Sequence, residues 1–275
     1  MKKKRIGSTL FLTLVLLFLY LPIVVVIVYS FNDNPARIPL QFTGWTTRWY
    51  EELFAGKGGY GSALVLSLQV ALWSVLSSVV IGTLGAVGMV QATLRSGKGS
   101  RGDNLMESIA ILPIMIPEII LGLAFMVIFD ALGIKGNTIR LVLAHTTFCI
   151  PYVFLSVKSR MVSMDTALFD AARDLGATQR RILRDITLPL CAPAILSGAF
   201  LAFAMSMDDF VISFFVYGVG EGTLPLKIYS SVKTGVSLRV NALCTLMILA
   251  VFLLVAMNQY LQAVRAKKER MLQKA

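Results

Sequence analysis

The sequence predicts an all-α protein with several transmembrane helices, and three observations lead to this fold class. Of the 275 residues, 56% are hydrophobic and only 15% are charged, whereas a soluble domain carries about 25% charged residues. Three runs contain no Asp, Glu, Lys or Arg, and each exceeds the roughly 20 apolar residues that cross a bilayer as a helix: 6–32, 61–94 and 240–264. None of them shows the alternation over about 10 residues that strands of a membrane barrel require.

Six spans are expected along the chain, in one transmembrane domain that takes in residues 1–275. They are predicted over residues 6–30, 62–91, 105–129, 137–157, 190–217 and 240–262. The third and fourth spans are interrupted by Glu118 and His145. The link over 130–136 is short and contains glycine, as a tight turn between two helices requires.

The distribution of Lys and Arg predicts the orientation of the spans. If the N-terminus is cytoplasmic, 18 of the 26 basic residues fall in cytoplasmic segments and 8 fall on the other side. Cytoplasmic loops of membrane proteins are generally enriched in Lys and Arg. We therefore expect a multi-pass protein of a bacterial inner membrane with both termini in the cytoplasm. The net charge of +11 then has a topological explanation, so no nucleic-acid partner is predicted.

The cytoplasmic segment 158–189 is the most informative part of the chain. Asp165 can cap a helix that starts at the next residue. Gly176 can end that helix in the left-handed conformation that helix C-termini favour. Thr178 can cap a second helix that runs to Pro189. The segment is therefore predicted to form a helix–turn–helix bracket on the inner face of the membrane.

One face of the first bracket helix is predicted to be apolar. Its side chains protrude little at two positions, because both of these are alanine. At helical spacing it carries Leu168, Ala171, Ala172 and Leu175. Such a face lets the surface of another protein approach closely. The alternative is a solvated connector that lies on lipid headgroups.

The bracket resembles the cytoplasmic signature of ABC-importer permeases, in which Glu-Ala-Ala is followed at fixed spacing by Gly and then by Ile-x-Leu-Pro. Asp170 stands where the family usually has Glu, which keeps the charge and shortens the reach by one methylene. The resemblance implies a coupling helix, over about 165–175, that sits in a groove of an ATPase subunit and transmits nucleotide-driven motion. The matching positions are Asp170, Ala171, Ala172, Gly176, Ile186, Leu188 and Pro189.

Shorter motifs at 29–32, 44–50, 206–209 and 224–230 resemble the permeases of spermidine/putrescine importers. The resemblance covers nearly the whole chain. It implies a permease that works with a homologous second permease, with two copies of an ABC ATPase on the cytoplasmic side, and with a periplasmic substrate-binding protein. The implied cargo is a polyamine. The chain has no phosphate-binding Gly-Lys loop and no metal-spaced cluster, so we predict neither enzyme activity nor a cofactor.

Three carboxylates fall inside predicted spans: Glu118, Asp208 and Asp209. Charged side chains in a membrane are costly, so they mark functional sites by default. Counted along straight helices, Glu118 and Asp208 lie in the outer half of their spans, and neither span contains Lys or Arg. A cationic cargo would supply the missing counter-ion, which makes Asp208 and Glu118 candidates for the substrate pathway.

These carboxylates also have structural interpretations. Neighbouring residues of a helix point about 100° apart, so at most one of Asp208 and Asp209 faces a pathway. Asp209 is expected to cap a helix or to hydrogen-bond. Glu118 follows Pro113 and Pro117 and could instead answer backbone amides that a distorted helix leaves without partners.

Trp49, Tyr50 and His145 are weaker candidates. Trp49 and Tyr50 could stack on a substrate ammonium, although anchoring at the membrane–water boundary is favoured for such residues. His145 is expected to hydrogen-bond to a neighbouring helix rather than to relay protons.

Other functions stay open at this point. The same kind of importer could carry ferric ion, thiamine or sulfate, although an anion importer should show basic residues where this chain has carboxylates. An intramembrane aspartyl protease needs two aspartates on different helices that share a proton, whereas Asp208 and Asp209 are neighbours. A non-transporting assembly subunit needs no charge in its spans.

Overall fold

The fold is built from helices alone in the part of the chain that the computed structural model describes, which is residues 2–36, 39, 41–96, 101–218, 222–235 and 237–272. Within these ranges the all-α prediction is confirmed, and one isolated bridge pairs Asn32 with Trp45. The helices are α1 Lys2–Tyr29, α2 Arg48–Phe54, α3 Tyr60–Ser96, α4 Arg101–Met115, α5 Glu118–Ala131, α6 Asn137–Val162, α7 Ala167–Asp174, α8 Gln179–Ile182, α9 Leu188–Asp208, α10 Val211–Val216, α11 Leu224–Thr234 and α12 Leu238–Leu272.

Five of the described helical stretches are long and apolar enough to cross a membrane: 7–29, 60–94, 137–162, 179–208 and 238–257. A sixth crossing is reached if α4 and α5 together count as one bent span. The predicted first, second, fourth and sixth spans are confirmed as helices, and α6 and α12 extend beyond their predicted ends.

The predicted span over 105–129 is not one straight helix. α4 ends at Met115, α5 begins at Glu118, and the two are bent by 103°. Pro117 has an extended backbone, with φ −54° and ψ 131°, and it has no N–H with which to continue the helical ladder. Glu118 therefore starts a second helix, and its position cannot be counted along a straight span.

The predicted span over 190–217 is also interrupted. α9 ends at Asp208, α10 begins at Val211, and Asp209 between them is extended, with φ −64° and ψ 122°. Asp208 is therefore the last residue of a helix rather than a position inside one.

The helix that contains α9 begins earlier than expected, so a bracket helix that stops at Pro189 is wrong. One helical stretch runs from Gln179 to Asp208, with a π-helical segment at Leu183–Thr187 between α8 and α9. Proline inside a helix lacks a donor, and its ring collides with the carbonyl four residues earlier. The wider π turn directly before Pro189 relieves that collision, so the helix continues.

The chain divides into two compact units. One comprises residues 1–60 and 228–275, and the other comprises residues 61–227. The prediction of a single transmembrane domain stays a prediction.

In the first unit, α1 and α2 pack on α12. Trp49 is buried against Leu238 and Ala242, and Glu52 accepts a hydrogen bond from Nε of Arg239 at 2.6 Å. This bond, with the neighbouring positive charges, lowers the pKa of Glu52 although burial alone would raise it. Packing and charge together thus hold α2 to the start of α12.

In the second unit, the core lies where α6 packs on α9. Contact is close because small residues occupy the helix interfaces. A Cβ added to Gly198 of α9 would lie 2.8 Å from Cα of Val153, and Gly122 of α5 lies equally tightly against α10. α3 joins the core through Ser74, whose hydroxyl donates to the carbonyl of Val142 on α6 at 3.1 Å.

Candidate functional site

Two helix breaks and the middle of α6 enclose a cleft of about 170 Å³ in the second unit. One break lies between α4 and α5, and the other lies between α9 and α10. Three carboxylates line the cleft, and none of its described lining residues is Lys or Arg. The lining residues are Pro113, Ile114, Ile116, Glu118, Leu121, Phe148, Tyr152, Met205, Asp208, Asp209, Phe210, Val211 and Ile212.

Glu118 is exposed and forms the first residue of α5. The N-cap residue of α5 is Pro117, which has no side-chain capping bond, and the amides of Ile120 and Leu121 donate to its carbonyl at 2.9 and 3.1 Å. The structure therefore does not show Glu118 answering backbone amides at the bend. A carboxylate at the start of a helix is favoured by the helix dipole, which helps to hold a negative charge at this edge of the cleft.

Asp208 is exposed at the last residue of α9. Within the described part of the chain, its carboxylate has neither a hydrogen-bond partner nor an ion-pair partner. The structure thus brings Asp208 and Glu118, predicted from different spans, to one cleft.

Asp209 uses its carboxylate in the way that the sequence predicts for it. It accepts hydrogen bonds from the backbone N–H groups of Ile212 and Ser213, at 3.2 and 2.9 Å, and from the hydroxyl of Ser213 at 2.7 Å. The side chain is only 5% exposed. Asp209 therefore caps the first turn of α10, and its expected structural role is confirmed.

His145 lies behind this cap and is 1% exposed. Its Nδ1 is 2.8 Å from the hydroxyl of Ser206 on α9, and its Nε2 is 3.0 Å from the hydroxyl of Ser213 on α10. The same Nε2 is 3.3 Å from Oδ2 of Asp209. The expected hydrogen bond from His145 to a neighbouring helix is confirmed, and the structure shows that two helices receive it.

Three aromatic residues of the cleft were missed at the sequence level: Phe148, Tyr152 and Phe210. Aromatic faces attract ammonium groups, so these residues suit a cationic ligand. The spacing of His145, Phe148 and Tyr152 places them on one face of α6, and that spacing was a usable signal.

Trp49 and Tyr50 do not line this cleft and belong to the other unit. The indole N–H of Trp49 donates to the carbonyl of Asn32 at 2.8 Å, and the guanidinium carbon of Arg48 lies 4.6 Å from its ring centroid. The hydroxyl of Tyr50 is 2.6 Å from that of Ser30. These contacts favour an anchoring role over a contact with substrate.

The bracket turn has the predicted geometry. Oδ1 of Asp165 accepts from the N–H of Ala167 at 2.9 Å, whereas the N-cap position of α7 is occupied by Thr166, which makes no side-chain bond. Gly176 has φ +77°, and its N–H donates to the carbonyl of Arg173 while that of Ala177 donates to Ala172, at 2.8 and 2.9 Å. This pair of bonds is the Schellman pattern of a helix that ends at glycine. Thr178 occupies the capping position of α8 without a side-chain bond.

The predicted apolar stripe on α7 is wrong in one member, because Ala172 faces inward. It packs with Phe169 and Ile182 in a small cluster, and Phe169 was missed from the sequence. Leu168, Ala171 and Leu175 stay exposed on the opposite face, Leu175 to 89%.

The remaining positions of the resemblance lie on both sides of this cluster. Asp170 is exposed and pairs with Arg173 at 2.9 Å. Ile186 is partly buried against the cluster. Leu188 is half-buried and Pro189 is exposed at the start of α9. The bracket is thus anchored on one face and open on the other.

Comparison with known proteins gives several relatives. The putrescine transport system permease protein PotI of Escherichia coli (strain K12) is 39% identical over 248 residues, which cover 88% of this chain and 85% of PotI. The spermidine/putrescine transport system permease protein PotC of Haemophilus influenzae is 37% identical over 230 residues, with 84% of this chain and 86% of PotC covered.

A solved structure of similar fold is that of a bacterial ABC transporter involved in the import of the acidic polysaccharide alginate. It has a TM-score of 0.69 at 15% identity and covers 95% of this chain and 96% of its own. PotI and PotC are transport permeases by name rather than enzymes, as the sequence predicted. A family model described as "Binding-protein-dependent transport system inner membrane component" matches residues 86–268. The chain therefore belongs to this family of inner-membrane permease subunits.

Proposed function

We propose that this chain is a permease subunit of an ATP-driven importer that moves polyamines, spermidine or putrescine, across the inner membrane. The observation that carries the proposal is the cleft lined by Glu118, Asp208, Asp209 and Tyr152, with no basic residue among its described lining residues. The names of the relatives PotI and PotC support the same cargo.

The chemistry of the cleft suits a linear polyamine. An ammonium group forms charge-assisted hydrogen bonds with carboxylates, and Glu118 and Asp208 have carboxylates that no described side chain neutralises. Phe148 and Tyr152 offer aromatic faces to a cation. The methylene spacers of the ligand are apolar, so their transfer from water to a contact with Leu121 and Ile212 is favourable. An anion would meet only like charge in this cleft.

The assembly that we propose follows from the family and from the bracket. A homologous second permease completes the pathway, two ATPase subunits dock on the cytoplasmic side, and a periplasmic binding protein delivers the substrate. The exposed face of Leu168, Ala171 and Leu175 on α7 is the proposed contact with the ATPase, and the inward face anchors that contact to the spans.

The proposed orientation places both termini in the cytoplasm, on the basis of the 18 and 8 basic residues of the two sides. Reporter fusions after Arg180 and Lys268 should report the cytoplasm. Fusions after Arg48 and Lys227 should report the periplasm. A single reversed report would overturn the orientation.

The cargo proposal is tested by Asp208→Asn, which keeps the shape of the side chain and removes its charge. A hydrogen bond to a charged group is worth about 1.5–3 kcal/mol, so uptake should fall roughly ten- to a hundredfold. The measurement is uptake of radiolabelled spermidine and putrescine into membrane vesicles. Asp209→Asn tests the neighbouring carboxylate, which also lines the cleft, and should be milder, because its amide oxygen can still accept hydrogen bonds from Ser213.

Two outcomes contradict this role. Normal polyamine uptake by Asp208→Asn would remove Asp208 from the pathway. Loss of the ATPase from a pull-down of the variant would instead show that the residue is structural. Uptake of thiamine or ferric ion in place of polyamines by the unmodified complex would reassign the cargo.

A further inference from the structure

The buried group behind the cleft is not used by the cargo proposal and connects three elements. His145 on α6 contacts Ser206 on α9 and Ser213 on α10, at 2.8 and 3.0 Å. Ser213 and Asp209 in turn hold the first turn of α10. The side chains of His145 and Asp209 are 1% and 5% exposed, so bulk water does not compete for these bonds in the intact protein.

The positions of the protons follow from the hydrogen-bonding capacity of each group. The hydroxyl of Ser213 has one proton, which it donates to Oδ2 of Asp209 at 2.7 Å. Toward His145 it can therefore only accept. Nε2 of His145 must then carry a proton, which points to Ser213 and, at 3.3 Å, to Oδ2 of Asp209. Nδ1 of His145 faces the hydroxyl of Ser206 on the other side of the ring, at 2.8 Å.

From this geometry we infer that His145 is a positioning residue for transport: through its Nε2–H it holds Ser213 and Asp209, and thereby the break between α9 and α10 that directs Asp208 into the cleft. The inference rests on the proposed role of Asp208. His145 itself does not line the cleft, so it acts on cargo only through its neighbours.

The Nε2–H bond toward Ser213 and Asp209 is the part that fixes the break. The Nδ1 contact only orients the ring from α9. Variants separate these two sides. His145→Gln places an amide N–H at about the reach of Nε2, His145→Leu removes both bonds, Ser213→Ala removes the bridging hydroxyl, and Ser206→Ala removes only the Nδ1 partner.

The first measurement is hydrogen exchange of the peptide that covers residues 209–217 in the intact detergent-solubilised complex. Exchange should rise roughly tenfold in His145→Leu and in Ser213→Ala, as expected for the loss of one hydrogen bond to a charged group. Ser206→Ala and His145→Gln should stay near the unmodified protein. Unchanged exchange in Ser213→Ala would overturn the positioning role, even if His145→Leu fails to assemble.

The second measurement is polyamine uptake in a double-mutant cycle with Asp208→Asn. Residues that act through one another give non-additive effects, whereas independent residues give additive ones. Ser213→Ala should lower uptake about tenfold in the unmodified background and should add little to Asp208→Asn. If the losses of uptake multiply in the double variant, Ser213 does not act through Asp208. If His145→Gln and His145→Leu lose uptake equally, only packing of the ring matters. Either result would refute the inference.

The two measurements fail in distinguishable ways. If Asp208→Asn alone transports normally, the cargo proposal fails, and increased exchange in Ser213→Ala would still show that the group holds α10. If Asp208→Asn abolishes uptake but exchange over 209–217 does not respond to any of the variants, the cargo proposal stands and the positioning role of His145 falls.

Discussion

The two helix breaks that enclose the cleft are made by different means. At the first, Pro117 ends the helical ladder because it is extended and has no N–H, and the packing of α5 against α10 holds the angle of the bend. At the second, no proline or glycine occurs between residues 199 and 217, and the carboxylate of Asp209 takes up the amides of α10. The first break thus leaves the carboxylate of Glu118 unused, whereas the second uses one carboxylate and leaves its neighbour Asp208 unused.

This difference explains why two adjacent aspartates have different surroundings. Asp209 is buried among three donors, and Asp208 is exposed at the end of α9. At the break after Asp208, one carboxylate is used to accept the amides of α10. Only a second carboxylate next to it is then available to bind a ligand. A break made by proline needs none, so a single carboxylate suffices there.

The largest expected effect is a difference in the free energy of unfolding between variants of Asp209 and of Glu118. Asp209→Ala leaves buried donors on Ile212 and Ser213 without an acceptor, which should lower the free energy of unfolding by about 3 kcal/mol. Glu118→Ala removes no hydrogen bond within the described residues and should change it by less than about 0.5 kcal/mol. Unfolding of the purified permease by titration with SDS measures both. Equal losses would mean that the two breaks do not differ in the way described.

The sequence predicted the helices well and the breaks poorly, for physical reasons. Charge-free runs and the glycine at position 176 are local signals, and both were interpreted correctly. Pro113 and Pro117 indicated a distortion, but the bend of 103° depends on how α5 packs against α10 at Gly122. The break after Asp208 has no local signal except an acidic pair in an apolar run.

A third kind of helix end occurs at Gly176, where glycine ends α7. With φ +77°, a β-branched residue there is strained, and left-handed backbone costs about 1–2 kcal/mol for residues other than glycine. Gly176→Val should therefore lower polyamine uptake and the ATP hydrolysis stimulated by the binding protein together, while membrane insertion persists. Gly176→Asn is the matched variant and should retain more activity, because asparagine tolerates this conformation. Full stimulation in Gly176→Val would show that the bracket does not couple.

The proline break should respond more weakly than the other two. Pro117→Ala raises the conformational entropy of the unfolded chain and should destabilise the protein by about 0.4–1 kcal/mol. The bend should persist, because contacts of α5 with α10 hold it. Spin-label distances between positions 109 and 127 measure the bend. A lengthening to that of a straight helix would show that proline alone makes this break.

The smallest effect is expected at Glu52, which lies outside the spans and so contrasts with the buried Asp209. Its hydrogen bond with Arg239 lowers its pKa from the ordinary value of 4.5. A lowered pKa means that the bond contributes stability above pH 4.5 and loses that contribution as pH falls through the lowered value. Hydrogen exchange of α2, corrected for the intrinsic rate, should therefore stay flat above pH 4.5 and rise below it. In Arg239→Gln that rise should be much smaller.

The candidate site could be predicted in its charges but not in its composition. Asp208 and Glu118 were recognisable because a carboxylate in an apolar run is unusual. That they share a cleft with Tyr152 follows from the packing of α6 between the two breaks, which no single run of sequence specifies. Asp209 and His145 were assigned hydrogen bonds, but the partners Ser206 and Ser213 lie more than 60 positions along the chain from His145.

The π-helical segment Leu183–Thr187 sets the rotational phase of the helix that it interrupts. An α-helix turns about 100° per residue, so Ile182 and Cys191 would point to opposite sides if the helix were uniform. The π turn absorbs one extra residue, which reduces the angle between them to roughly 80°. Ile182 can then bury itself beneath α7 while Cys191 faces the core. The stretch Gln179–Asp208 is thus one continuous helix of 30 residues, about 45 Å long. Its two ends pack against different parts of the protein. A uniform α-helix over the same residues would instead turn the two ends about 100° out of phase.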